Sequence, residues 1–320
     1  MSSAHAIDSF EFPANKIDRF QDKQIGKPVG KGLIWRGGLH LLREIKNFGG
    51  LSDLTFTSNE GHMAIVTDKG HFISAQLLYD EKGAPKAIAG AKIERLRNSK
   101  GVKLPTVFSR DPEAVDTVYR DGKPVAVRVG FEHLTRVADF SIDADNRPGG
   151  AAREYTIPNW LTRQRHNGSI EALCIAPPAS PVAGSTLIIA ENVRDDKNNN
   201  KAWLSGKRDG GDLKFKADGG YKPTACQFTP EGDLLVLSRD FGIFGFTMKL
   251  WFVGKDDVRA GTIMNGKVIL EASGGDIDNM EGLTTHIDAN GKTVISILSD
   301  DNFRGWERTL LLQFELAETP

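Results

Sequence analysis

The stretch that decides the fold is MEGLTTHIDANGKTVISILSDDNF, Met280 to Phe303. Two runs with alternating apolar residues flank Asn290-Gly291, a dipeptide suited to a tight hairpin because positive φ is cheap for Asn and Gly. A carboxylate stands near each outer end, Glu281 before the first run and Asp300 after the second. The same plan recurs in LSDLTFTSNEGHMAIVTDKG (51–70), PEAVDTVYRDGKPVAVRVGFEH (112–133), IEALCIAPPASPVAGSTLIIAEN (170–192) and TACQFTPEGDLLVLSRDFG (224–242). Turns at Asn59-Glu60-Gly61, Asp121-Gly122 and Glu231-Gly232-Asp233 fix the registers of three of them.

The first polar residues of the five copies, Ser52, Glu113, Glu171, Thr224 and Glu281, follow one another at steps of 61, 58, 53 and 57 residues. Each step leaves room for two more strands, such as Phe72 to Tyr79 with Lys86 to Ile93, and Phe246 to Val253 with Lys267 to Glu271. Four strands per repeat define a propeller blade. The last copy has only three strands, ending at TLLLQFEL, while KGLIWRGGLHLLRE near the N-terminus is a spare one. Pairing them leaves no long open sheet edge. The expectation is an all-β chain: a single five-bladed β-propeller domain over residues 1–320, with an N-terminal extension (1–30) and a closing strand (31–45). Six blades is the alternative if Ser9 to Arg43 forms more than one strand. Helical periodicity is hard to sustain anywhere, and Trp160 to His166 reads as a loop insertion.

Composition narrows the partners. Lys and Arg total 41 against 42 Asp and Glu, so there is no global basic field for nucleic acid, and a small anionic or ester substrate is the better expectation. No run of 18 apolar residues exists to span a membrane. The first residues show no signal-peptide pattern, which fits either a cytoplasmic protein or an exported one with its leader removed. Cys174 and Cys226 match no metal spacing and read as two buried thiols rather than a disulfide. A monomer is expected.

In a propeller, the start of each inner strand and the end of its antiparallel neighbour share one mouth of the central channel. The ten posts are Ser52, Glu113, Glu171, Thr224 and Glu281 with Asp68, Glu132, Glu191, Arg239 and Asp300; seven are carboxylates. Two like charges about 6 Å apart repel by roughly 2.8 kcal/mol at an effective dielectric of 20, so positive charge is required nearby. Oxygen donors without His or Cys metal spacing suit Ca²⁺ better than Zn²⁺. The expected metal ligands are Glu113, Glu132, Glu171, Glu191, Glu281 and Asp300. Blade four places Arg239 where the others carry acids, a guanidinium suited to a phosphate or carboxylate ester. Glu281, Asp300 and Arg239 are therefore the catalytic candidates, and Arg136, His133, Arg163, His166, Asn167 and Arg304 the substrate-binding ones. NVRDDKNNN (192–200) lacks the glycine and terminal glutamate of a calcium loop and reads as solvated.

The ordered set FGGLSDL, VTDKG, DPEAVD, GFEHLTRV, HNGSIEAL, LVLSRDFG, DIDNMEGL, ILSDDNF and RTLLLQFEL resembles the bacterial phytase-like family, described as esterase-like activity of phytase. The resemblance covers Phe48 to about Leu316 and implies a propeller, export to the periplasm or beyond, and phosphoesterase or esterase activity. It carries the family's recurring residues onto Glu113, Glu132, Arg136, Asn167, Glu171, Glu191, Arg239, Asn279, Glu281, Asp300, Asp301 and Asn302. Two departures reduce the number of guanidiniums at the mouth: Asp240 follows Arg239 where a second basic residue is common, and His133 stands where arginine is common. A highly phosphorylated substrate such as phytate is correspondingly less favoured. The functional expectation is a metal-dependent hydrolase of a phosphate monoester or related ester. The alternatives are a non-catalytic ligand- or protein-binding propeller with structural calcium, and a sugar-lactone hydrolase.

Overall fold

A computed structural model describes residues 10–44, 48–164, 168–243 and 245–319. The repeats become five antiparallel sheets. Blade one runs Leu51–Phe56, His62–Thr67, His71–Tyr79 and Pro85–Arg95; blade two, Pro112–Arg120, Lys123–Phe131, Arg136–Ile142 and Pro148–Tyr155. Blade three comprises Ala172–Ile175, Thr186–Arg194, Asn200–Ser205 and Gly211–Phe215; blade four, Lys222–Phe228, Leu234–Gly242, Gly245–Val253 and Lys267–Ser273. In blade five, Asn279–Ile287, Thr293–Asp300 and Thr309–Leu316 are completed by the N-terminal strand Leu33–Leu41, from Thr309 opposite Leu41 to Leu316 opposite Leu33. The first strands of neighbouring blades touch in turn, and blade five returns to blade one. The chain is a five-bladed propeller, as the repeat spacing implies. The N-terminal extension adds no sixth blade. Phe10–Phe12 lies on the outer edge of blade one, and Ala14–Ile17 on the closing strand of blade five. Gln21 Nε2 and Lys31 N then donate to the carbonyls of Glu271 and Ile269 in blade four. The segment is a strap over three blades.

Alternation within each sheet sends one set of apolar side chains toward each neighbouring blade, and the core divides accordingly. Five buried clusters fill the five seams. Between blades one and two, for example, Val66 and Phe72 meet Val127, Val129 and Phe131.

Each seam is also pinned by polar or covalent contacts between inner strands. Buried Asp53 accepts from the N–H groups of Val115 in blade two (2.8 Å) and Leu283 in blade five (3.1 Å), and from Leu54 (2.8 Å). Buried Asp116 accepts from Ile175 N in blade three (2.7 Å), from Thr117 N (2.7 Å) and from the Thr55 hydroxyl in blade one (3.2 Å). Thr224 donates to the Met280 carbonyl (3.2 Å), tying blade four to blade five. The remaining seam, three to four, carries a disulfide between Cys174 and Cys226, with Cα atoms 5.7 Å apart. The expectation of two free thiols is thereby corrected. A separation of 52 residues hides the pairing in the sequence, but blade-to-blade packing sets the two inner strands side by side.

Trp160 to His166, read as a loop, contains a short helix, Asn159–Thr162, entered after Pro158. Its first position tolerates the proline before it, and buried Leu161 anchors it beside Ile157 and Ile170.

Candidate functional site

The acids of the mouth are aimed by a repeated irregularity. In blades one, two, four and five the pairing of the first two strands slips near the mouth: between Leu51 and Asp53, Pro112 and Ala114, Pro223 and Ala225, and Met280 and Gly282. The unpaired residues are Ser52, Glu113, Thr224 and Glu281. In blade three, Glu171 immediately precedes the paired strand. A bulge re-aims one side chain out of the pleat, and here it does so at the same height in four blades. The bulge also changes one expected pairing. Asp300 stands opposite Asn279, not Glu281, because Glu281 is the extra residue.

The resulting carboxylates act on one another. Burial, and then the charges of Glu171, Asp111, Glu132 and Glu281, push Glu113 well above the ordinary carboxylate range. Glu171 is raised by burial, by the charges of Glu132 and Glu191, and by its side-chain hydrogen bond with Glu132. Asp300 is raised by burial, then by Glu281, Asp68 and Asp301. Asp68 is pushed up to about 7, chiefly by burial, with Asp111, Glu281 and Asp301 adding to the effect against Lys69. These couplings link all five second-strand ends except Arg239 into one acidic ring, within which Arg239 supplies the counter-charge. Its Nη2 donates to Glu281 Oε1 at 2.9 Å, and Asn279 Nδ2 donates to the same oxygen at 2.7 Å. Burial opposes the charge of Arg239, but Glu281, Glu171, Glu191 and Asp300 outweigh it and raise its pKa. Arg239, Asn279, Glu281, Asn302 and Arg304 border a cleft of about 270 Å³ between blades four and five.

Other expected residues make further contacts around the ring. Glu132 is bound by the N–H groups of Gly168 and Ser169, the latter at 2.9 Å, so it anchors the loop entering blade three. Glu191 accepts from Asn192 Nδ2 at 2.6 Å and lies 3.6 Å from Lys222 Nζ. Arg136 is turned from the mouth: it stacks on Phe131, donates to the carbonyls of Leu134 and Ser109, and borders a separate cavity with Glu154. Burial lowers it to about 10. Arg163 caps the short helix and is exposed. His166 and Asn167 lie outside the described residues. His133 meets a carboxylate as its sequence context suggests, with Nδ1 2.5 Å from Asp111 Oδ2. Asp195, in the loop 192–200, folds back on the N–H groups of Lys197 and Asn199 and pairs with Lys214 at 2.6 Å, which closes that loop on itself.

Two contributions escape the repeat pattern. Asp111 precedes the first strand of blade two, so register with the other copies does not mark it, yet it joins Glu132 and His133 within 4.8 Å. Asp301 is spent in tying blades together, accepting from Gly50 N and Phe303 N at 3.0 Å each. Gly50 has φ of +63°, and a Cβ there would collide with Asp68 and the Phe303 ring, so only glycine admits this close approach.

The donor set fits a hard cation. Asn279 is 2% exposed and its Oδ1 has no hydrogen-bond partner, as is true of Asp68 Oδ1; both are oxygen acceptors at the acidic ring. Oxygen ligands and surplus negative charge are what Ca²⁺ takes, whereas Zn²⁺ prefers nitrogen and sulfur.

The model of the phytase-like family, described as esterase-like activity of phytase, matches residues 46–303. No curated protein matches the chain significantly. Among solved structures, similarity is found to a PQQ-bound aldose sugar dehydrogenase from Streptomyces coelicolor, with 12% identity over 95% of this chain and 99% of that one, at a TM-score of 0.43. The α-L-arabinofuranosidase PaAbf62A from Podospora anserina, in complex with cellotriose, is 10% identical over 88% of this chain and 94% of its own, at 0.48.

Proposed function

Because the chain belongs to the phytase-like family, we propose that its acidic mouth is the active site of a metal-dependent hydrolase acting on a phosphate monoester or related ester. The observation that carries this reading is Arg239, held by Glu281 inside a ring of buried carboxylates and facing an open cleft. A guanidinium so placed pairs with two oxygens of a phosphate or with the oxyanion of a carboxylic ester. Glu281 is the positioning residue for Arg239, and Asn279 fixes Glu281 in turn. Asp300 accepts one backbone N–H, from Asn302 at 2.8 Å, and keeps further oxygen lone pairs with which to take a proton from water. Of the mouth residues, Glu113, Glu171, Asp68 and Asn279 would be the ones to hold Ca²⁺, which would supply charge neutralisation for the substrate oxyanion and acidify water, leaving Asp300 as the base.

The direct test is turnover by Glu281→Gln and Asp300→Asn over a panel of phosphate, carboxylic and lactone esters. A loss of 100-fold or more in kcat is expected for Asp300→Asn. Unchanged turnover in both variants would remove the assignment, and preferential lactone cleavage would replace it with the sugar-lactone reading.

A binding propeller with structural calcium is favoured by one set of contacts, the commitment of Glu132 and Asp301 to backbone N–H groups. Stabilisation by Ca²⁺ against EDTA, with no turnover of any panel member, would select it. No helix among the described residues is long and apolar enough to cross a membrane. The Cys174–Cys226 bond supports a periplasmic or secreted location, since disulfides persist mainly in oxidising compartments. Growth in a reducing cytoplasm, followed by thiol titration, would test that part.

A further inference from the structure

The cleft beside Arg239 has one wall of a different character. The second and third strands of blade four approach each other at the mouth through Asp240, Phe241 and Gly242 on one side and Gly245 and Phe246 on the other. The corresponding turns of blades one, two and five carry Asp68-Lys69-Gly70, Glu132-His133 and Asp301-Asn302. In blade four the solvent-facing turn is apolar instead. Gly242 pairs with Gly245, Ile243 is 98% exposed, and Phe241 is 60% exposed. Phe241 and Phe246 lie with ring centroids 4.7 Å apart, and both border the cleft that holds Arg239 and Arg304. Asp240 fixes the entry to the turn by accepting from Phe241 N at 2.9 Å. Trp306, 65% exposed, stands on the blade five loop with the Arg304 guanidinium 5.4 Å from its ring.

Exposed aromatic side chains beside an anion-binding guanidinium describe a two-part ligand. We propose that this cleft takes the organic group of the ester as a flat apolar ring, so that the preferred substrate is an aryl-type ester carrying a single anionic centre. The inference rests on the ester-hydrolase reading of the same mouth. The geometry separates the two parts: Arg239 and Arg304 meet the anion, while Phe241 and Phe246 cover the ring. A volume of about 270 Å³ exceeds the roughly 150 Å³ that suffices for benzene in an apolar cavity, leaving room for the anionic group beside a single ring. A polyphosphorylated polyol fits poorly, because it would set charge against the two phenylalanines and find Asp240 rather than a second base after Arg239. Aromatic rings stack favourably in offset or edge-on geometry, and the tilted Phe241–Phe246 pair offers both faces and edges.

The experiment is equilibrium binding, which avoids the leaving-group differences that confound aryl and alkyl turnover. Phenylphosphonate and methylphosphonate are titrated into the full chain in the presence of Ca²⁺. Phenylphosphonate should bind about tenfold more tightly, the gain expected for partial burial of a ring. Phe241→Ala should bring the ratio close to one, and Phe241→Trp should preserve it. Since Phe241 is largely exposed, neither substitution removes core packing. Equal affinity of the two phosphonates in the wild type, or a ratio indifferent to Phe241→Ala, overturns the aryl subsite while leaving ester hydrolysis standing. Selective phenylphosphonate binding without turnover of any ester supports the subsite and overturns the hydrolase reading. Failure of both phosphonates to bind overturns the two together.

Discussion

Glu113 and Asp116 lie three residues apart on one inner strand, both are acids, and they do opposite work. Asp116 is surrounded by donors: two backbone N–H groups and a hydroxyl. Glu113 is surrounded by carboxylates. Asp53 repeats the first environment in blade one, whereas Glu171 and Asp300 repeat the second. Depth along the channel separates them. At mid-strand, the N–H groups of adjacent blades converge and a carboxylate satisfies donors that would otherwise be orphaned. At the mouth, the bulges turn acids toward one another, where only a cation or a proton can compensate. Composition alone does not distinguish a pin from a site; the company each acid keeps does.

The sharpest way to break this contrast is to remove a pin. Asp53→Ala leaves the N–H groups of Leu54, Val115 and Leu283 without their acceptor, and at about 1–3 kcal/mol for each buried donor the expected loss is about 3–9 kcal/mol. Urea unfolding measures it, and a loss below about 1 kcal/mol would contradict the role given to Asp53. Next comes the covalent pin. Closing a loop of 52 residues restricts the unfolded chain by roughly 4 kcal/mol in the entropy model, so the Cys174→Ala, Cys226→Ala double variant should unfold about 2–4 kcal/mol more easily.

The mouth should respond to pH. Asp68 titrates near 7 in the folded chain against an ordinary value of 3.8, so its folded form binds the proton more tightly than its unfolded form. Its contribution to stability is fully present below about 4 and is lost as pH rises through 7. Chelator-treated protein should therefore melt at a lower temperature at pH 7.5 than at pH 5, and Asp68→Asn should flatten the difference. Added Ca²⁺ at pH 7.5 should restore stability, by about 2.7 kcal/mol at a concentration 100 times its Kd. The smallest effect is expected at Glu171. Its side chain hydrogen-bonds Glu132, and Glu171→Gln keeps a group able to donate there while removing a carboxyl that burial disfavours as an anion, so unfolding free energy should change by less than about 1 kcal/mol.

The outline of the propeller is legible because hairpin turns such as Asp121-Gly122 and Asn290-Gly291 are local signals, and their spacing counts the blades. Arg239 is legible for the same reason, as the one basic residue in a register of acids. Pins are not legible in this way. Asp53 differs from Ser52 by one position, and the N–H groups that make it a pin come from Val115 and Leu283 in two other blades. Cys174 and Cys226 become partners only once blades three and four stand side by side. Asp111 sits outside every repeated strand, and the stacking of Arg136 on Phe131 with its bonds to two carbonyls is a contact set that no register reveals.

The closing strand also imposes an order of events on folding. Leu33–Leu41 is made before blades one to four, and its partner Thr309–Leu316 after them. Blades one to four are sequence-local hairpin stacks that can form as they emerge, while the fifth must wait. Until it closes, the Leu33–Leu41 edge and the apolar faces of Trp35 and Leu39 have no mate. Contacts of such long sequence separation are slow to form, and an unpaired strand edge invites association with other chains. The interval between the first strand and the last is therefore the period in which this chain is most exposed to aggregation, and the Phe10–Ile17 part of the strap, covering the outer edges of blades one and five, completes the enclosure when the ring shuts.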